Sequence, residues 1–409
     1  MPTLSDRLAQ RFPLLHDLVT VRLTSTLVTL ALVFAVAAYG AYAQLIIGSA
    51  GLLTRYANLI GGDFVVFRTA GELAGAGAIG PIYRIDYLSS HLRSTYPGAG
   101  AMIFGWFYPP TMFLVVAPLG LLPYMAGLCC WLGAQLALFA GTLRSIWSDR
   151  NVMILSLASP AVVHSVITGQ TGMLTGSLLA LSAYFAQSRP LVAGIAAGML
   201  TVKPQLGLLI PIAFIAGRCW KAIAYASAVT LLLATIALVG YGTESWIAFG
   251  TAMLSHAERM QTAGFPIGKL ITPYGAVRLV GGTPSAAAAA QLVATVLMAL
   301  YVFLAWWRRL PVELRLAALL SATPLATPYA FYYELAIFVF PVAMIARDAQ
   351  RSGWLRWERM SLIALWIGAF LPPGGDAIPS VPVAFLVALA AWLVCARRIV
   401  PALLDRRLA

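Results

Sequence analysis

The chain has 409 residues, of which 61% are hydrophobic and only 10% charged, against a charged share of roughly 25% in soluble domains. A soluble core cannot hide that much apolar surface, so lipid is the solvent for most of it, and repeated apolar stretches approach the ~20 residues a helix needs to cross the hydrocarbon core. The net charge of +13 would suggest nucleic acid in a soluble protein, but lysine occurs only at Lys203, Lys221 and Lys269, and the arginines sit mostly in short loops between apolar segments. That pattern orients a membrane protein; it calls for membrane lipids and no nucleic acid.

Met1 to Thr20 is polar and mixed in charge, without the short apolar run and small-residue site of a cleaved signal peptide. The first span is Leu23–Ile47. Residues 48–107 form a first outer loop, too polar to cross, holding Asp63, Glu72 and Asp86 with Arg55, Arg68, Arg84 and Arg93. Within it, Phe64, Phe67, Ala70 and Leu73 recur near i, i+3 spacing and predict an amphipathic juxtamembrane helix. Residues 108–122 are apolar but few, and carry Pro109, Pro110 and Pro118. They are expected to be re-entrant or interfacial, because a crossing would put every later arginine cluster outside. The other reading is that they cross and another segment does not.

Further spans are expected over Met125–Leu143, Val152–Ile167, Met173–Ala186, Leu191–Val202, Pro204–Ala216 and Ala222–Gly240. After a second outer loop, 241–285, come Ala286–Trp306, Leu314–Pro328, Tyr332–Ala346, Met360–Leu371 and Pro379–Ala396, about twelve in all. Arg397, Arg398, Arg406 and Arg407 put the C-terminus in the cytoplasm. The same rule puts the N-terminus inside, with the loops at Arg144 and Arg150, Arg189, Arg218, Arg308 and Arg347–Arg359. The expected protein is all-α and polytopic, a single integral domain over 1–409 in the bacterial inner (cytoplasmic) membrane. Cys129, Cys130, Cys219 and Cys395 show no metal-ligand spacing and are read as packing residues.

This topology places Asp63, Tyr108, Gly169-Gln170, Lys203 and Tyr329–Glu334 on the non-cytoplasmic side. Asp63, in Gly61-Gly62-Asp63-Phe64, is a carboxylate at the membrane surface and a candidate general base; as a competing reading it caps the helix that starts at Phe64. Lys203, beside Pro204 in an apolar run, is costly at that depth and suits a phosphate; snorkelling to lipid phosphates is the plainer alternative. Glu334 is a partner for Lys203 or for a sugar hydroxyl. His164, six residues before Gln170, reads first as a buried hydrogen-bonding group. His256, Glu258, Arg259 and Lys269 read as a solvated face of the second loop. No Gly-rich phosphate loop, zinc spacing or Ser/His/Asp order is present.

Taken in order, several stretches resemble the polytopic GT-C glycosyltransferases, and within them glycosyltransferase family 87, the polyprenyl-phosphate-mannose-dependent mannosyltransferase-like family. They are Asp63-Phe64 with Phe67, Ala70-Gly71 and Tyr83; Phe107-Tyr108-Pro109-Pro110; Pro118-Leu119 with Leu122-Pro123; Ser159-Pro160 with Gly169-Gln170; and Ala193-Gly194 leading to Lys203-Pro204-Gln205. The likeness covers about Gly61 to Lys221 well and Thr327–Glu334 more loosely. It departs at Phe331-Tyr332-Tyr333-Glu334, where the family pattern is richer in Asp.

The resemblance implies a GT-C-type bundle and an outer-face general base, which falls on Asp63. It implies a sugar, mannose foremost, moved from a polyprenyl-phosphate donor to a lipid or glycan acceptor with inversion, with no cofactor and no metal site called for. Donor phosphate is assigned to Lys203 and Arg68. Other substrate contacts fall to Tyr108, His164, Gln170, Gln205, Tyr332 and Glu334. The rivals are a transporter or flippase of lipid-linked substrates, which predicts two related halves with broken helices, and a non-catalytic subunit of an envelope complex.

Overall fold

The computed structural model describes residues 22–47, 51–100, 105–262, 265–371 and 380–404. The expectations for Met1–Thr20, for the start of the last span at Pro379 and for Arg406 and Arg407 lie outside those residues. Among the described residues the chain is helical, with isolated bridges only at Leu53–Leu59 and Leu270–Phe331. Five helices among the described residues are long and apolar enough to cross a membrane: Leu23–Ile46, Tyr124–Ile146, Trp220–Arg259, Pro284–Trp307 and Val383–Leu404. The protein is an all-α, multi-pass membrane protein.

The expected spans that do not reach this length are broken or short, for local reasons. Arg150–Leu157 and Pro160–Thr168 together have the length and composition of a span but are bent by 47° where they join. Asp149 caps the first piece by accepting from the Val152 N–H (2.9 Å), and Ser159 caps the second, with Pro160 at its first position. Gly172–Phe185, Pro190–Val202 and Pro204–Ala216 are shorter apolar helices. Val312–Ala326 is buried at every residue from Glu313 to Ala326 and forms the centre of the main core; beyond Glu313 and Arg315 at its start it carries no charge and no polar face, and such a helix belongs inside.

The helix expected to stop at Gly240 continues to Arg259 after a break at Gly242 (φ 73°, ψ 166°). Its second leg has a stripe at helical spacing, with Ser245, Ala252 and His256 buried and Tyr241 and Phe249 packed on the first loop. His256 is therefore no part of a solvated face. Cys129 and Cys130 also depart from expectation: they are exposed, while Cys219 and Cys395 are buried.

The first loop carries its own core, including Phe64, Phe67, Ile82, Leu88, Trp106 and Phe113. Its helix Phe64–Gly75 crosses Phe113–Gly120 so closely that a Cβ at Gly71 would meet the Val116 carbonyl oxygen at 2.0 Å, and one at Gly120 the Glu72 nitrogen at 2.3 Å. Two bonds tie this loop to the ends of two other helices. Tyr124, first residue of its span, donates its hydroxyl to the Ile60 carbonyl (2.7 Å). The Asp63 N–H donates to the carbonyl of Thr168, last residue of the bent span (2.9 Å). Ile146, at the far end of the Tyr124 span, accepts from Arg347 (2.7 Å). The bundle thus has one end built around Ile60–Asp63 and an opposite end rich in arginine.

Candidate functional site

Gly61 and Gly62 both take positive φ (81° and 53°), a turn that side chains resist. Gly169, in the left-handed conformation that ends Pro160–Thr168, docks against this turn, and a Cβ there would meet the Gly61 carbonyl oxygen at 2.3 Å. The Tyr42 hydroxyl accepts from the Gly61 N–H (2.8 Å), and Trp131 Nε1 donates to the Gly169 carbonyl (2.8 Å).

This bracing sets Asp63. It occupies the N-cap position of Phe64–Gly75, yet its backbone is helical (φ −70°, ψ −7°) and its side chain makes no capping hydrogen bond. The capping role is therefore absent. Asp63 Oδ2 instead accepts from Gln170 Nε2 at 2.5 Å. Burial pushes the Asp63 carboxyl above the ordinary carboxylate range, against the opposing pull of the Gln170 N–H and the ammonium groups of Lys269 and Lys203. A raised carboxyl pKa is what a base working near neutral pH needs.

Lys203 follows a turn of 3₁₀ helix, and Pro204 opens the next. Its side chain is buried (3% exposed), and its Nζ donates to Glu334, itself fully buried, and to Thr171 Oγ1 (3.1 Å). Thr175 Oγ1 donates to the other Glu334 oxygen (2.9 Å). The ammonium also faces the rings of Tyr333 (5.0 Å) and Tyr108 (5.6 Å). Simple snorkelling is excluded, because the charge ends inside the protein on a carboxylate. The Tyr332 ring packs at a tilt of 50° against His164 (4.4 Å between centroids), whose Nε2 is buried without a partner.

The structure thus joins Asp63 to Gln170, and Lys203 to Glu334 and Tyr108. Two expected residues stay apart. Arg68 donates to Glu72 (2.8 Å) and to the Leu122 carbonyl (3.3 Å), a set of contacts separate from Lys203. Gln205 is half-buried, and its side chain makes no hydrogen bond among the described residues. Thr171, Thr175 and Trp131 were not anticipated. The four-residue spacing of the two threonines, one helical turn, is the only trace they leave in sequence.

A bundle that crosses the membrane several times, buries an ion pair and holds a braced, half-buried carboxylate at one end defines a polytopic membrane protein with a polar centre. The sequence model of glycosyltransferase family 87 matches residues 106–328, more than half of the chain, and the chain belongs to that family. It is a membrane glycosyltransferase, and its helical architecture is consistent with the GT-C superfamily. The matched stretch includes Tyr108, His164, Gln170 and Lys203, whereas Asp63 and Glu334 lie outside it. No curated protein and no solved structure matches the chain.

Proposed function

We propose that the chain transfers a hexose, mannose foremost, from a polyprenyl-phosphate donor to a lipid or cell-envelope acceptor on the non-cytoplasmic face of the bacterial inner membrane. The observation that carries this reading is the state of Asp63: freed from capping, held by Gln170 and raised in pKa by burial. As the acceptor hydroxyl oxygen attacks the anomeric carbon, its proton passes to Asp63. The bond from that carbon to the phosphate oxygen breaks, its electron pair leaves with polyprenyl phosphate, and the anomeric centre inverts.

Lys203 is the proposed phosphate ligand. An ammonium has three N–H donors; Glu334 and Thr171 take two, and the third remains for a phosphate oxygen. Glu334 keeps the centre neutral while the donor is away. The bonds from Tyr83 to the Tyr108 carbonyl and from Tyr124 to the Ile60 carbonyl support a re-entrant 108–122, since they hold both ends of that stretch to the same first loop. Membership of a glycosyltransferase family speaks against the transporter reading.

The product tests the reading. Purified protein given a β-linked polyprenyl-phosphate mannose is expected to yield an α-mannoside, read by the anomeric coupling in NMR. A β-mannoside would overturn direct displacement, and transfer of glucose but not mannose from matched donors would overturn the sugar.

A further inference from the structure

The Gln170 side chain has two ends, and Asp63 accounts for only one. An ionised carboxylate only accepts, so the bond at 2.5 Å fixes the amide nitrogen toward Asp63 and the carbonyl oxygen Oε1 away from it. That oxygen is buried and has no hydrogen-bond donor, on a side chain only 6% exposed. A buried acceptor left bare is costly, and such atoms are rare in folded proteins.

The backbone that carries this side chain is held at three points. The Gln170 N–H donates to the Ser165 carbonyl (3.2 Å), the preceding carbonyl of Gly169 is held by Trp131, and Thr168 is tied to the Asp63 backbone. The nearby ammonium of Lys203 donates to Thr171 and Glu334, and its third N–H makes no bond to Gln170 Oε1. The missing donor is therefore expected from a ligand beside Asp63.

We infer that Gln170 positions Asp63 and also reads the acceptor, its free Oε1 taking the hydroxyl next to the one attacked, so that the acceptor is a carbohydrate or polyol with hydroxyls on neighbouring carbons. The inference rests on the reading of Asp63 as the base. The second Asp63 oxygen and Gln170 Oε1 then form a pair of acceptors one amide apart, matched to a vicinal diol. A lone hydroxyl fills only the first and leaves Oε1 unpaired. Sites built to bind a hydroxyl reject analogues that lack it more strongly than apolar pockets reject an extra group.

The test uses the full chain in lipid nanodiscs with polyprenyl-phosphate mannose as donor. The acceptor probes are octyl α-mannoside, its monodeoxy analogues, and octyl tetraethylene glycol ether, which offers a lone hydroxyl. For the wild type, kcat/KM should fall on the order of a hundredfold for the analogue lacking the hydroxyl next to the attacked one, and the ether should be a poor acceptor. Gln170→Ala should lower kcat for octyl mannoside and abolish the difference between it and that analogue. The acid limb of its kcat/KM profile should move to higher pH, since Asp63 loses a donor that favours its ionised form while Lys203, Lys269, Tyr108, Tyr329 and Tyr333 still face it, with Glu334 beyond the tyrosines.

A purely structural loss would not move that limb. If Gln170→Ala does not fold, the wild-type deoxy series still decides. Equal use of the ether and octyl mannoside by the wild type, or undiminished discrimination in Gln170→Ala, overturns the inference and leaves the donor assignment standing. Absence of transfer to every acceptor counts against the donor assignment itself, and the inference falls with it.

Discussion

At the arginine end, Arg398 donates to Glu358 through Nε (2.5 Å) and Nη2 (2.6 Å), to Asp348 (2.8 Å) and to the Gly353 carbonyl (2.5 Å), and Arg351 closes on Glu313 (2.6 Å). At the opposite end a single lysine meets a single glutamate, with two threonines and two tyrosine rings around them. Both arrangements bury carboxylates. In the first, a planar guanidinium shares its donors among several acceptors, so no one contact is indispensable. In the second, each charge has one counter-charge and one hydroxyl, and Lys203 keeps an unused donor. Redundancy marks the end that holds helices together; an unfilled donor marks the end proposed to meet substrate.

That contrast is open to direct attack. Glu334→Gln should be the more damaging of two matched changes, because it leaves the buried Lys203 ammonium without a counter-charge; loss of one partner of a buried pair costs about 3–5 kcal/mol. Glu358→Gln leaves Arg398 with Asp348, Ser352 and the Gly353 carbonyl, and should cost nearer the ~1.5–3 kcal/mol of a charged hydrogen bond. Thermal unfolding in detergent reads both, and transfer should survive in Glu358→Gln. Equal losses would remove the distinction between the two ends.

Lys203→Ala should weaken donor binding roughly 10- to 100-fold, and Lys203→Arg should keep part of it, since both cations pair with phosphate but differ in shape. Lys203→Ala with Glu334→Ala removes the pair as a neutral unit. It should regain stability without regaining donor affinity, and recovery of both would sink the phosphate assignment.

The proposed orientation is checked by labelling. In a background without the four native cysteines, single cysteines at the exposed Ser94 and Gln261 should react with an impermeant thiol reagent in intact cells, and one at Ser188 should not. Gly169 and Ser245 are unsuitable sites, the first because it cannot hold a Cβ and the second because it is buried. Labelling at Ser94 but not at Gln261 would mean that 108–122 crosses.

Much of the class was legible in the sequence. Apolar runs and sparse charge gave the membrane and the long spans, because lipid imposes a length and composition that few other environments require. Lys203 stood out for the same reason, as a charge at a costly depth, and Glu334 as its available partner. The bond between Asp63 and Gln170 was not legible, since it joins residues 107 apart and depends on two glycine turns docking. Asp63 itself looked like a cap because its type and position fit one; only the side-chain direction shows otherwise. His256 looked solvated from its charged neighbours, whereas burial against Phe107 (3.9 Å) and Tyr329 (4.4 Å) was decided by the fold. The short helices Gly172–Phe185, Pro190–Val202 and Pro204–Ala216 were legible as apolar segments; a span buried by protein neighbours need not satisfy the length rule that lipid enforces.

Asp63→Asn, with turnover measured on purified protein, tests the proposed base most directly. Asn caps a helix about as well as Asp, and Asp63 makes no capping bond in any case, so folding and insertion should be intact. If the carboxylate takes the acceptor proton, transfer should fall by about 10²–10⁴-fold or below detection. The wild-type kcat/KM should also lose its acid limb at a pH above the ordinary aspartate range of ~3.9, because burial raises the group that must be ionised. Normal turnover by the Asn variant would contradict the assignment of Asp63 as the base.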